Sequence, residues 1–412
     1  MAVSRFVRLP AMAQVALLYA VSRVWGWFVF SRVGLHQTVS PWKNSAMTYL
    51  EYVNIWDADW YSSIAATGYP SQLPLDATGH VAQNEWAFYP LYPLTAGTLT
   101  WLTGLDYALV APTLSLICGL GASWFIYRLC MVSLGNGQSA AEHSNLDTQH
   151  STALWASAAV NFSAVAPILQ TGYAEAMGLL FLAWALYLLV EGRYRLMLIP
   201  ALCAALARPI GLPLGAAVGL WWLMAFLHRL RSGQRVWPTL RETATQLVCA
   251  LAVCAFAFIH PAYAWAVTGR LDAYTATEAA WRAGGEDVLP FLPWLTQSQL
   301  YLGSILGPLI LLVLIAGFTL CLIAPSTRKV LHPALVLWCA CYAVYMLAFF
   351  NPQSSTFRLL LPLFPLLLPV VALSASRAYR WLLMCAGATL QFGWVGWLWH
   401  WKQLPGGGDY PP

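Results

Sequence analysis

Asp57 and Asp59 stand among tryptophans in Asn54-Ile55-Trp56-Asp57-Ala58-Asp59-Trp60-Tyr61, in a polar stretch between two long hydrophobic segments. A carboxylate within hydrogen-bond reach of a hydroxyl can take its proton while the oxygen attacks a glycosyl or acyl centre. Two residues along a helix amount to ~200° of rotation, so a helical segment would turn the two acids toward different sites. Trp56, Trp60 and Ile64 would then share a face, as in a helix lying in a membrane interface with its acids solvated. Two readings stand: an anchored interfacial helix, or a general base held over a cavity. A second cluster follows in Asn84-Glu85-Trp86-Ala87-Phe88-Tyr89-Pro90-Leu91-Tyr92-Pro93-Leu94. A loop that merely joins two spans needs neither the carboxylates nor this density of aromatic residues and proline. Either Asp57 or Asp59 is therefore a candidate base, the other a candidate substrate contact with Trp60, Tyr61, Glu85, Tyr89 and Tyr92.

Further along, Arg208 and Arg358 fall at the expected outer mouths of broken or short hydrophobic spans. A cation there is costly unless paired, and its planar fork suits a phosphate. Each arginine either meets a ligand phosphate or pairs with a carboxylate such as Glu175. Glu175, on an outer turn, either binds an acceptor hydroxyl or caps the helix that follows. His260, just before Pro261, either packs or touches substrate, and Trp281 joins the candidate contacts from the stretch Ala280-Trp281-Arg282. Arg23, inside the first span beside Ser22, is expected to pair with a carboxylate or with carbonyls in the bundle.

The elements that must position these residues are hydrophobic helices. The chain of 412 residues is 59% hydrophobic and 9% charged, against about 25% charged in soluble domains. The apolar runs are continuous, which points to helices and away from an alternating β-barrel. The pattern predicts one membrane domain over residues 1–412, an all-α polytopic bundle of about 11 spans. Within it, residues 32–106 form a large extracytoplasmic catalytic loop. Expected spans run roughly 10–31, 107–132, 152–167 and 174–190, then two short helices in 196–227 broken at Arg208-Pro209-Ile210-Gly211. Further spans follow at roughly 244–266, 299–323, 332–349, 359–375 and 381–400. Ser133 to Ser151 reads as a plain cytoplasmic linker. With the N-terminus inside, 13 of the 21 Lys+Arg fall inside and 12 of the 16 carboxylates fall outside. Acidic residues contribute little to insertion topology, so their outward excess asks for another cause, such as catalysis or ligand binding. All nine cysteines fall within expected spans and are read as free thiols. The first span lacks a cleavage site and is expected to stay as an anchor.

The chain shows no phosphate loop, dinucleotide fingerprint or histidine-rich metal constellation, so neither a metal nor another cofactor is expected. Nucleic acid is not an expected partner. With no cytosolic catalytic domain, an outward-facing enzyme would need an activated substrate delivered in the membrane. Here Trp56-Asp57-Ala58-Asp59-Trp60-Tyr61 with Gly68-Tyr69, and Ala87-Phe88-Tyr89-Pro90-Leu91-Tyr92-Pro93-Leu94, resemble the first-loop signature of the PIG-V-like mannosyltransferases, of the GT-C superfamily. Tyr173-Ala174-Glu175, Arg208-Pro209-Ile210-Gly211, Ala280-Trp281-Arg282 and Phe357-Arg358-Leu359-Leu360-Leu361-Pro362 fall in the family's order. The segment 79–87 and Pro209 depart from the eukaryotic pattern. The resemblance implies a GT-C-type bundle and metal-independent, inverting transfer of mannose from a polyprenyl-phosphate-sugar donor to a glycolipid or lipoglycan acceptor, with Asp57 as base. It implies a multi-pass protein among membrane lipids, in a bacterial plasma membrane or, in a eukaryote, the ER membrane. The other class left open is a transporter or flippase of lipid-linked sugars. A GT-C enzyme using another sugar or a protein acceptor is open as well.

Overall fold

The computed structural model describes residues 9–136, 146–282, 289–404 and 412. Arg5 and Arg8, the middle of the expected 133–151 linker, Ala283-Gly284-Gly285 and most of the Gly-Pro tail lie outside the described residues. Among those described the chain is helical, with no strand beyond the isolated bridge Leu75–Val81. Helix α1 (Ala11–Gly34) leads through the single turn α2 (Tyr49–Tyr52) to α3 (Asp57–Thr67) and α4 (Leu91–Thr103). Then come α5 (Tyr107–Asn136), α6 (Leu146–Asn161), α7 (Glu175–Val190), α8 (Tyr194–Ala207) and α9 (Gly211–Arg231). They are followed by α10 (Val236–Phe256), α11 (Ile259–Thr268), α12 (Ala273–Ala280), α13 (Leu292–Leu302) and α14 (Leu306–Ile323). The chain ends with α15 (Pro325–Val330), α16 (Pro333–Phe349), the turn α17 (Thr356–Leu359), α18 (Leu367–Ala372) and α19 (Arg377–Trp394).

Six segments among the described residues are long and apolar enough to cross a membrane: α1, α5, α9, α10 with α11, α14, and α19 with the turn after it. Helices α7, α8 and α16 and the stretch Leu361–Ala372 are apolar but shorter. Helix α14 argues most directly for lipid. Its most apolar window has a mean hydropathy of 2.7, yet only 11% of it is buried within the protein. A helix that is apolar all round needs either a protein core or a bilayer about it, and the protein does not supply the core. The centre of the bundle is α7, buried nearly end to end between α5 and α8.

Where helices depart from the expected spans, proline, glycine and polar residues account for it. The break at Arg208-Pro209-Ile210 between α8 and α9 is present as expected. The single span expected over 244–266 is two helices, α10 and α11. Pro261, in the first turn of α11, has no N–H to continue the ladder from the carbonyls behind it. The span over 299–323 is likewise divided, at Gly303, whose φ of 89° suits glycine and ends α13. The segment after Arg358 is a 3₁₀ stretch, Leu361–Leu366, containing Pro362 and Pro365, before α18 begins. Helix α6 starts at Leu146, inside the expected linker, with Asp147 in its first turn, where the helix dipole favours an acid. The nine cysteines are all free.

Candidate active site

Helix α3 begins at Asp57 because the residue before it turns the chain sharply. Trp56 has φ 63° and ψ −126°, a conformation that costs a side-chain-bearing residue of order 1–3 kcal/mol. Its indole N–H donates to the Trp399 carbonyl at 2.8 Å and its ring lies edge-on to Trp42, contacts that hold the turn. The Asp57 amide, one of the donors a helix start leaves unpaired, donates to the Tyr173 hydroxyl at 2.9 Å.

The ~200° between the two acids is realised. Asp57 is 7% exposed and faces the interior. Asp59 is exposed on the other side, where the Trp42 indole donates to it. The expected interfacial stripe belongs instead to the protein's interior. Ile64 is fully buried, Trp56 is anchored as described, and Trp60 stacks on Phe88 and meets the edge of Trp281.

Toward Asp57 the fold brings residues from three distant parts of the chain. Arg358, on α17, donates through Nη2 to Asp57 Oδ2 at 2.5 Å and through Nη1 to Glu175 Oε1 at 2.7 Å. Its guanidinium lies over the Tyr173 ring, 5.1 Å from the centroid. Glu175, the first residue of α7, also meets Arg208 Nη1 at 3.2 Å. Arg208 reaches it because Gly178 lies beneath its stem; a Cβ on Gly178 would stand 2.8 Å from Arg208 Cγ. Two carboxylates and two guanidinium groups thus form one largely buried network, and burial is tolerable because each charge is paired. Among the described residues Asp57 Oδ1 accepts no hydrogen bond, and Arg208 donates to no group besides Glu175. Burial lifts the Asp57 carboxyl above its usual range, Arg358 pulling the other way and Glu175 adding to the rise.

This network forms part of the wall of a cavity of about 860 Å³. Of the residues singled out in the sequence, Asp57, Tyr61, Tyr89, Glu175, Arg208, Trp281 and Arg358 line it. Asp59, Trp60, Glu85, Tyr92 and His260 do not. Tyr92 is in the core, its hydroxyl bonded to the Ala111 carbonyl and to Ser115. Glu85 accepts from Ser63 Oγ at 2.9 Å. His260 is buried behind Tyr89, with Nε2 2.9 Å from the Trp86 carbonyl and its ring centroid 4.4 Å from that of Tyr89. Arg23 binds the carbonyls of Ala166 and Asn161, the carbonyl form of the expected pairing.

Tyr274, Glu278, Tyr342 and Tyr345 also line the cavity and were not singled out in the sequence. Glu278 sits three residues before Trp281, one helical turn away, and that spacing was the available signal. Tyr342 and Tyr345 lie in an aromatic-rich apolar helix, where packing alone accounts for such residues. Among the described residues no three His, Cys, Asp or Glu side chains gather as metal ligands. In comparison with known proteins, no family model and no curated sequence matches the chain.

Proposed function

We propose that the protein is a membrane glycosyltransferase that moves a sugar, mannose by the motif resemblance, from a polyprenyl phosphate to a hydroxyl of a glycolipid or lipoglycan precursor. The observation that carries this is the Asp57 carboxylate at the cavity wall. One of its oxygens is held by Arg358 and the other is unpartnered, with Arg208 beside the same network and most of its donors open. In the reaction the acceptor oxygen attacks the anomeric carbon while the bond from that carbon to the phosphate oxygen breaks. The phosphate leaves with the bonding electrons, and Asp57 takes the hydroxyl proton. Arg358 holds Asp57 in position, and Arg208 stabilises the charge gathering on the phosphate, as fixed donors do in transition states. One base suffices for a single displacement; the carboxylate pair of a glycosidase is not required.

In the membrane we place eleven spans with the N-terminus cytoplasmic and the C-terminus outside. The six long segments, the four shorter apolar ones and α6 supply them. The cavity then faces the extracytoplasmic side, where a lipid-phosphate donor presents its sugar. The test is incubation of membranes containing the protein with radiolabelled polyprenyl-phosphate-mannose, followed by separation of lipid and protein products. Label should pass to a lipid fraction with the wild type and not with Asp57→Asn. Equal transfer by both would remove Asp57 as the base, and transfer by neither would remove the activity.

A further inference from the structure

The cavity wall carries a second set of polar residues, within electrostatic reach of Arg208. Helix α12 is clamped to the loop that carries the second aromatic cluster: Asn84 Nδ2 donates to Thr277 Oγ1 at 3.0 Å, and Thr277 Oγ1 to Asn84 Oδ1 at 3.2 Å. One turn earlier on the same face Ala273 packs, fully buried, with Trp86 and Ala264. This clamp sets Glu278 and Trp281 in the cavity wall. Trp281 meets the edges of Trp60 and Phe88, which fixes its ring, and its indole N–H has no partner among the described residues.

Glu278 differs from the other carboxylates of the site. Asp57 and Glu175 are paired with arginines, and Asp272, also on the wall, is paired with Arg270 at 2.7 Å. No cation comes within ion-pair distance of Glu278 among the described residues; Arg282 lies nearby but turns one guanidinium nitrogen to the Phe349 carbonyl at 2.9 Å. The neighbour of Glu278 is the Tyr274 hydroxyl, which itself accepts from Tyr89 at 3.2 Å. Burial raises the Glu278 carboxyl above its usual range.

An unpaired carboxylate beside a fixed indole can accept two hydroxyl hydrogens while the apolar ring covers the face of a sugar. The same charge repels phosphate. We infer that Glu278 and Trp281 form the acceptor subsite, taking a neutral, polyhydroxylated headgroup and leaving the phosphate to Arg208. This rests on the transferase reading for its place in the reaction, though not for the binding itself.

The test is saturation-transfer NMR on the protein in lipid nanodiscs, with methyl α-mannopyranoside and its 6-phosphate as probes. The wild type should bind the neutral sugar in preference to the phosphate. Glu278→Gln should weaken the neutral sugar by about tenfold or more, the range for a hydrogen bond to a charged group, and narrow that preference. Trp281→Ala, which keeps the carboxylate, carries the same expectation of weaker sugar binding should the first variant misfold. Glu191→Gln, at the opposite end of α7, serves as the control and should bind as the wild type does. Binding of the neutral sugar unchanged in Glu278→Gln and Trp281→Ala, or absent in the wild type, overturns the inference. If binding falls as expected but no mannose is ever transferred, the subsite stands and the transferase reading falls. If transfer proceeds and both variants bind normally, the reverse holds.

Discussion

Asp57 has one oxygen held by Arg358 and one without a partner, so its two substitutable features separate cleanly. Asn at position 57 keeps the shape and loses the base, and turnover should fall by about 10²-fold or more, the usual weight of general base catalysis. Asp59→Asn, on the solvent side, should stay within a few-fold of wild type. Comparable loss in both variants would break the assignment. Arg358→Lys keeps the charge but cannot bridge Asp57 and Glu175 with a planar fork, so it too should lose most activity while the protein remains folded. The pH dependence has a definite sign. The base acts only when ionised, and burial moves its titration upward, so activity should fall as pH drops through a value above the ordinary ~4 of a carboxylate. A rate profile that stays flat down to pH 4 would show that Asp57 does not limit the reaction.

Arg358 on α17, Glu175 at the start of α7 and Arg208 just after α8 form the network about Asp57. Helix α12 also lines the cavity, and the close contacts of these elements can be tested one at a time. A methyl group at position 178 would stand 2.8 Å from Arg208 Cγ, so the stem must shift and carry its guanidinium away from Glu175. Gly178→Ala should therefore raise the donor concentration needed for half-maximal rate. A donor titration with an unaltered midpoint would detach Arg208 from the donor. At α12, Thr277→Val removes both hydrogen bonds to Asn84, whose amide keeps the Ala82 carbonyl and the Trp86 N–H as partners, so the cost is that of the lost bonds, about 0.5–1.5 kcal/mol. A lowered melting temperature together with a raised acceptor requirement is expected. A change in neither would mean that the clamp does not position the wall.

For the whole molecule the decisive quantity is which way the helices cross. The basic residues His228 to Arg241 flank the α9–α10 turn, and the eleven-span arrangement keeps that turn cytoplasmic in accord with the tendency of Lys and Arg to remain inside. A cysteine placed at Ser232, on a background lacking the nine native thiols, should resist an impermeant reagent in intact cells and react after permeabilisation. Labelling of intact cells would invert the assignment of every later loop and put Arg358 on the side opposite Asp57, a placement that their 2.5 Å contact forbids. Such a result would therefore require either inversion of the whole protein or a changed number of crossings after Ser232 as well as before it.

The all-helical class, the capacity of several helices to span a membrane and the Pro209 break were legible in the sequence, because hydrophobic run length and missing proline donors act locally. So was the divergence of Asp57 and Asp59, which follows from helical pitch alone. The partnership of Asp57 with Arg358, 301 residues away, was not legible, since nothing local distinguishes a guanidinium that meets a phosphate from one that closes on a carboxylate. His260, Glu85 and Tyr92 were chosen for type and neighbourhood, and packing turned them from the cavity into hydrogen bonds with Trp86, Ser63 and Ala111. For Glu278 the one-turn spacing from Trp281 is the only local signal, and it does not separate a site residue from a solvated one. Only the seating of α12 against Asn84 gave it a cavity to face, and side-chain direction at that level is set by tertiary contacts that no local pattern encodes.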